Sequence, residues 1–239
     1  MTQHKIVSEA DWIEARKKVL AEEKALAKAR ERIAALRRDL PWVKIEKKYE
    51  FDTASGKKSL ADLFEGRGQL FVQHFMFAPE WEAGCPGCSF AADHIDAAWQ
   101  HLKHHDVTFV AVSRAPLAKL QGYKKRMGWR FNWVSSQGSD FNYDFHVSFT
   151  GEQLAKGKVF HNFEMIENNN MEDLPGGSVF YKDADGSIYL TYADYGDGSA
   201  EVLGTYMILD LMPNGRNETG PMAWVKRHDE YEGERRKAG

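Results

Sequence analysis

The first forty residues combine a charged background with a hydrophobic residue at every seventh position. This series comprises Trp12, Val19, Leu26, Ile33 and Leu40. Spacing of this kind produces a narrow apolar stripe along one side of a helix. Ser8 and Asp11 have the spacing of an N-terminal helix cap, and no Gly or Pro interrupts the segment before Pro41. The pattern predicts one long helix that extends to Asp39.

The apolar stripe of this helix needs a surface to cover it, and the sequence leaves three arrangements open. The helix packs along its own domain, docks on a second copy of the chain to give a homodimer, or forms a mobile arm. The chain is accordingly divided into an N-terminal helical arm (1–40), a single domain (41–215) and a C-terminal tail (216–239).

After Pro41, short apolar segments alternate with segments of helical periodicity. The predicted elements are a strand at 43–51, a short helix at 59–64, a strand at 69–77, a helix at 88–105, a strand at 107–113 and a helix at 116–127. Strands that are joined through a helix lie side by side and end at the same edge of a parallel sheet. Residues 113–116 are therefore expected beside the loop that follows residue 77.

The last part of the domain has a different pattern. Residues 136–176 are rich in Gly, Asn and Pro, and we interpret them as an insertion that covers one end of the sheet. Two alternating segments, 178–182 and 187–192, flank an Asp-Ala-Asp-Gly turn and predict a hairpin. A helix at 200–211 closes the domain, and the charged run 226–239 is typical of a frayed tail.

The chain contains only two cysteines, and both lie in the unit Cys85-Pro86-Gly87-Cys88. This unit follows an apolar strand and opens a helix, where free backbone amides and the helix dipole stabilise a thiolate. Cys85 is predicted to be the attacking thiol and Cys88, one turn inside the helix, the resolving thiol. Three roles stay open for the pair: a redox dithiol, a structural or degenerate pair, and a metal site.

A metal site would need histidines of the same helix as further ligands. At about 1.5 Å of rise per residue, His101 lies about 20 Å along the helix from Cys88. Even His94 is six residues away. We therefore predict neither a metal nor another cofactor, and we interpret these histidines as part of a solvated helix face. His74, inside the strand 69–77, is interpreted as a hydrogen-bonded core residue.

Three further side chains are candidates for substrate contact. Trp81 lies four residues before Cys85 and is either a cover for the dithiol or a core residue. Arg114 follows a predicted strand and either stabilises the Cys85 thiolate, binds an anionic substrate or forms an ordinary salt bridge. Trp129 is the third candidate.

Composition limits the classes of partner. A net charge of -3 and a pI near 6.3 give no electrostatic reason to expect nucleic acid or a membrane surface. The apolar runs are too short to span a bilayer, and the first residues lack the pattern of a secretory signal. We expect a cytoplasmic protein whose partners are a protein or small-molecule disulfide and a thiol electron donor.

Several long motifs resemble one bacterial family of unknown function within the thioredoxin-like fold, whose members are labelled predicted dithiol-disulfide oxidoreductases. The stretches that carry the resemblance are 40–43, 69–77, 84–90, 113–116, 126–129 and 141–145. The resemblance implies an α/β thioredoxin-like fold over residues 43–211, here with a long N-terminal helix and an insertion before the C-terminal hairpin. It also implies a thiol-disulfide oxidoreductase that uses Cys85 and Cys88.

The sequence departs from the wider fold at two places. Related redox enzymes carry a cis-proline before the strand that faces the dithiol, and here Gly176-Gly177-Ser178 stands at the expected position, with Pro175 earlier. Peroxide-reducing relatives carry a Thr three residues before the reactive cysteine, where this chain has Glu82. A carboxylate there is expected to raise the pKa of the thiol.

These departures keep an alternative function open. It is a non-catalytic binding or assembly module with an aromatic cleft, lined by Trp129, Phe131 and Trp133.

Overall fold

The computed structural model describes residues 4–168, 170–196 and 201–231, and the chain divides into two compact units, 1–41 and 42–239. The first unit is helix α1 (Glu9–Arg38). Its start is capped as predicted, because the Asp11 amide donates to Ser8 Oγ at 3.2 Å. None of the α1 residues is buried, and which surface covers the apolar stripe stays a prediction.

The second unit is built on a mixed sheet that has eight strands among the described residues. The strands are β1 (Val43–Lys44), β2 (Glu50–Thr53), β3 (Gly56–Ser59), β4 (Gln69–His74), β5 (Val107–Ser113), β6 (Asn132–Ser135), β9 (Gly176–Lys182) and β10 (Ile188–Asp194). A separate hairpin is formed by β7 (Lys158–His161) and β8 (Glu164–Glu167). The helices are α2 (Pro86–His104), α3 (Leu117–Met127), α4 (Phe141–Asp144), α5 (Gly151–Ala155) and α6 (Gly204–Leu209). Among the described residues, no helix combines the length and hydrophobicity needed to cross a bilayer.

The order of the strands across the sheet is β1-β10-β9-β4-β5-β6-β2-β3. Strands β4, β5 and β6 are parallel, whereas β9 runs antiparallel to β4 and forms a hairpin with β10. A β-α-β unit (β4, α2, β5) followed by α3, an antiparallel hairpin and a final helix is the thioredoxin-like arrangement. The predicted fold class is confirmed, as are the hairpin and the strand at 107–113.

Aromatic cores lie on both faces of the sheet. One contains Cys88 with residues of α2 and α3, and the other packs β2, β4, β5 and β9 against Phe141 and Phe145. Both of these phenylalanines are buried, although they fall in the predicted insertion. The insertion thus completes the core of the domain as well as covering the end of the sheet.

Two segments fold differently from the prediction. The expected strand 43–51 is split, because β1 pairs with β10 near one edge of the sheet whereas β2 lies between β6 and β3 near the other. The polar residues between the two strands connect them, and Lys47 there pairs with Asp140 and Asp144 at 2.8 and 2.6 Å. Strand β6 was not predicted, since only four residues separate its polar flanks.

The C-terminal part also differs from the prediction. The helix expected at 200–211 is confined to α6, and residue 200 lies outside the described residues. The tail expected to fray from residue 226 is packed on the domain as far as Tyr231, and residues 232–239 lie outside the described part. We refer to residues 222–230 as the C-terminal segment.

A buried serine connects β5 to the end of β4. Ser113 Oγ donates to the Phe75 carbonyl oxygen at 2.6 Å and accepts from Trp133 Nε1 at 3.0 Å. Ser113 is fully buried, so both bonds form out of contact with water. They hold β6, β5 and the chain just before the cysteine unit together.

We expect Ser113→Ala to destabilise the domain by about 1–3 kcal/mol, because it leaves a buried indole N–H and a carbonyl oxygen unpaired. Urea unfolding followed by circular dichroism measures this loss. The matched control is Ser187→Ala, whose hydroxyl bonds Asp185 at the surface and whose loss is expected to cost less than about 0.5 kcal/mol. Equal stabilities of the two variants would contradict the role assigned to Ser113.

Candidate dithiol site

The cysteine unit is held against the chain that continues β4. The Cys85 amide donates to the Met76 carbonyl oxygen at 3.1 Å, and the Met76 amide donates to Cys88 Sγ at 3.5 Å. One residue therefore bonds both cysteines through its backbone. Gln73 adds a third tie, since its Nε2 donates to the Cys88 carbonyl oxygen at 3.0 Å.

Cys85 is the N-terminal cap residue of α2, as predicted. Its sulfur accepts from the Cys88 amide at 3.5 Å, and Pro86 occupies the first turn, where a missing N–H costs nothing. Cys85 is half-buried and Cys88 is buried, and both are free thiols. The carbonyl oxygen of Cys85 accepts from Ser89 Oγ at 2.8 Å, and Ser89 in turn bonds Tyr123.

The surroundings lower the pKa of Cys85 from 9.0 to about 6. The largest cause is a hydrogen bond from the Cys88 thiol, and the backbone amides of Cys88 and Gly87 and the charge of Arg227 act in the same direction. Burial opposes them. The pKa of Cys88 is raised well above 9.0, because its proton is shared with Cys85 and because it is buried beside that thiolate. The two thiols are therefore unequal at neutral pH.

Arg227 is the residue at this site that the sequence analysis missed. It belongs to the C-terminal segment, and its guanidinium donates to the Gly84 carbonyl oxygen through Nε at 3.0 Å and Nη2 at 2.7 Å. Nothing in the local pattern marks this arginine among the charged residues around it. Its position depends on the packing of a segment that looked solvated in the sequence.

Arg114 does not contribute to the lowered pKa of Cys85. It forms the salt bridge that was one of its predicted roles, through Nε to Asp173 at 2.7 Å and Nη2 to Glu172 at 3.1 Å. Asp173 is buried and adds to the raised pKa of Cys88. Arg114 thus acts on the dithiol only through its partner.

Trp129 is buried, and its indole N–H donates to Asp93 at 2.7 Å. Phe131 and Trp133 are also buried, and all three rings belong to the core that contains Cys88. The predicted aromatic cleft lined by these three residues is therefore wrong, because the rings pack against each other and against Phe75. Trp81 is partly exposed, and its carbonyl oxygen accepts from Lys119 at 2.9 Å; its contact with substrate stays a prediction.

The two departures from the wider fold have different outcomes. Strand β9 begins at Gly176, two residues earlier than predicted, so that Pro175 directly precedes it, and no described peptide bond is cis. The Glu82 side chain is 95% exposed and lies 3.9 Å from Lys119 Nζ. The expected rise in the thiol pKa was wrong, because solvent and this lysine screen the carboxylate.

The histidines are occupied by other contacts. His94 Nδ1 bonds the Phe90 carbonyl oxygen at 2.6 Å and Nε2 bonds Thr205 Oγ1 at 2.8 Å. His74 is buried and bonds Ser178 Oγ at 2.8 Å, which confirms its prediction as a core residue. In the described ranges, no three His, Cys, Asp or Glu side chains are grouped so that they could hold a metal ion.

The comparisons with known proteins identify a family. The profile of DUF899, described as a bacterial protein of unknown function, matches residues 1–231. The chain belongs to this family. No curated protein matches it.

Three solved structures to which this DUF899 protein is similar are peroxiredoxins by title. Peroxidoxin BcpB from Mycobacterium tuberculosis is 15% identical with a TM-score of 0.44, and covers 69% of this chain and 94% of its own. A cysteine-to-serine mutant of PrxQ from Xylella fastidiosa is 14% identical (TM-score 0.42; 67% and 88% covered). Peroxiredoxin Q from Xanthomonas campestris is 12% identical (TM-score 0.41; 72% and 92% covered). Similarities at this distance carry no inference about activity.

The lowered pKa of Cys85 predicts the pH dependence of its alkylation. Because only the thiolate reacts, the rate with iodoacetamide is expected to rise through about pH 6 and to level off by neutrality, whereas an ordinary thiol would continue to gain rate up to pH 9.

Cys88→Ala is expected to move this inflection upward by about 1–2 pH units, since it removes the largest of the lowering contributions. Cys88→Ser is the matched control, because its hydroxyl still donates to the Cys85 sulfur and is expected to keep the inflection closer to that of the native protein. An inflection near 9 in the native protein would contradict the assigned geometry.

Proposed function

We propose that this protein is a thiol-disulfide oxidoreductase in which Cys85 attacks and Cys88 resolves. The observation that carries the proposal is the inequality of the two thiols: backbone and side-chain donors converge on Cys85, whereas Cys88 is buried and keeps its proton. A structural pair has no need of this inequality. The absence of the predicted aromatic cleft removes the feature on which the alternative of a binding module rested.

In the first step the Cys85 thiolate attacks one sulfur of a substrate disulfide. A bond forms between Cys85 Sγ and that sulfur, the substrate S–S bond breaks, and the second substrate sulfur leaves as a thiolate. The charge on Cys85 is lost in this step. The donors that held it, among them the amides of Gly87 and Cys88, are then free to bond the leaving sulfur.

In the second step Cys88 closes the intrachain disulfide. Loss of the Cys85 charge removes two causes of the raised Cys88 pKa, namely the shared proton and the neighbouring thiolate. Cys88 gives its proton to the first leaving thiolate or to solvent and attacks Cys85 Sγ. The mixed disulfide breaks and the second substrate thiolate leaves.

Overall, the dithiol loses two electrons and two protons, and the substrate disulfide becomes two thiols. A thiol electron donor returns the protein to its reduced form by the same exchange in reverse. We propose that this cycle operates in a reducing compartment, where such donors are abundant.

The function predicts distinct phenotypes for the two cysteines. Cys85→Ser is expected to abolish oxidation of the protein by disulfides, since no nucleophile is left at the cap. Cys88→Ser is expected to complete only the first step and to accumulate a mixed disulfide with substrate. Mass spectrometry after reaction with excess glutathione disulfide measures the adduct.

Titration of the native protein against a series of glutathione redox buffers provides the independent readout. The proposal requires a Cys85–Cys88 disulfide that forms and is reduced reversibly. A pair that stays reduced throughout the range, together with no adduct on Cys88→Ser, would overturn it in favour of a structural pair.

A further inference from the structure

The C-terminal segment lies over the backbone on both sides of the Cys85 sulfur. On one side, Arg227 caps the Gly84 carbonyl oxygen with two hydrogen bonds. On the other side, Met222 Sδ lies 3.1 Å from the position that a Cβ on Gly87 would occupy, and Cys85 Sγ lies 3.9 Å from the same position. The close approach that Gly87 permits is therefore used by the protein's own chain.

The first half of the C-terminal segment is held by apolar contacts. Met222, Trp224 and Val225 pack on the cluster around Phe90, in the first turns of α2, and the Trp224 and Phe90 ring centroids are 5.8 Å apart. The backbone amide of Met222 also donates to Tyr206 Oη at 2.9 Å. This half of the segment is part of a small core.

The second half of the segment is held by charges at the surface. Arg126 donates to Asp229 through Nε at 2.7 Å and Nη2 at 3.0 Å, and to Glu230 at 2.9 Å. His228 Nδ1 lies 2.8 Å from Asp93 Oδ1. These side chains are partly exposed, so their ion pairs are weak compared with the apolar contacts of the first half. The second half is therefore the part that a substitution can release without unfolding the domain.

A disulfide in a folded protein is flanked by polypeptide on both sides. To reach Cys85 it must lay that polypeptide on the backbone beside the cysteine, where extended chains bind through exposed N–H and C=O groups. Here the Gly84 carbonyl is already bonded to Arg227, and the surface of Gly87 is covered by Met222. A small molecule has no flanking chain to place, and the half-buried Cys85 stays within its reach.

We propose that the substrate of the dithiol is a low-molecular-mass disulfide, and that the C-terminal segment excludes disulfides of folded proteins. This assignment rests on the proposed function and uses the same two-step exchange. The same restriction applies to the donor, which is a low-molecular-mass thiol. The products are two small thiols and the Cys85–Cys88 disulfide.

Asp229→Lys tests the exclusion, because it places an ammonium against Arg126 and releases the second half of the segment. Reduced protein is mixed with excess hydroxyethyl disulfide or with insulin, and the loss of its thiols is followed in time. The variant is expected to react about three- to fivefold faster with insulin, and within about twofold of the native rate with hydroxyethyl disulfide, as the loss of a partly exposed ion-pair network allows. Glu152→Lys is the matched control: it makes the same charge change at the Lys156–Glu152 pair on α5 and leaves both rates unchanged.

Alkylation gives a second readout that does not involve disulfides. The ratio of the rate with a polyethylene-glycol maleimide of protein-like size to the rate with iodoacetamide is expected to rise in Asp229→Lys, and also in Arg126→Ala, which removes the same network from the other side. Taking the ratio cancels any change in the thiolate fraction of Cys85.

The outcomes separate the two proposals. If neither disulfide oxidises the native protein, the proposed function fails and the substrate assignment falls with it. If both oxidise it at rates that Asp229→Lys and Arg126→Ala leave unchanged, the proposed function stands and the substrate assignment alone is overturned. A selective gain with insulin and with the bulky maleimide supports the assignment.

Discussion

The dithiol depends on the position of Met76 relative to the cysteine unit. Its carbonyl oxygen accepts from the Cys85 amide, and its own amide donates to the Cys88 sulfur. These two bonds fix the backbone of one cysteine and the side chain of the other with respect to the end of β4. Because β4 is paired on both sides, with β5 and β9, Met76 is held by the most buried part of the sheet. The geometry of the two sulfurs is therefore inherited from the core.

This rigid placement is what makes the two thiols different. Burial alone would raise the pKa of both, so the difference comes from where the hydrogen-bond donors are. The start of α2 directs amides at Cys85, while Cys88 lies a turn deeper and gives its proton to Cys85. The direction of exchange then follows from geometry, since the exposed thiol is the ionised one and the buried thiol is released only after the first has reacted.

The local part of this site was predictable because its causes are local. A cysteine that caps a helix after an apolar strand, with its partner three residues on, acquires most of its electrostatics from its own turn. The order of strands and helices followed from hydrophobic periodicity for the same reason, and the long helix from its uninterrupted composition. The exceptions depend on the fold as a whole. Arg114 has three chemically reasonable roles in the sequence, and the buried Asp173 decides between them.

Other features were not predictable because they arise from contacts between distant parts of the chain. Arg227 is 143 residues from Gly84, and a run of charged residues has the same composition whether it is solvated or tied down by ion pairs. The rings of Trp129, Phe131 and Trp133 have the pattern of a cleft or of a core, and only their packing against Phe75 and Tyr123 shows that they are core. β1 and β2 are separated for the same reason: pairing partners outside the segment divide it.

The position of Arg227 links the charge of the thiolate to its coverage. The guanidinium lowers the pKa of Cys85 only while the C-terminal segment lies on Gly84, so the most nucleophilic form of the sulfur is also the most covered one. By thermodynamic reciprocity, a thiolate stabilises the covering position of the segment, and the loss of its charge in a mixed disulfide or in the Cys85–Cys88 bond weakens that position. Reduced protein is thereby protected against large oxidants when it is most reactive, and the cover is loosest when the products have to leave.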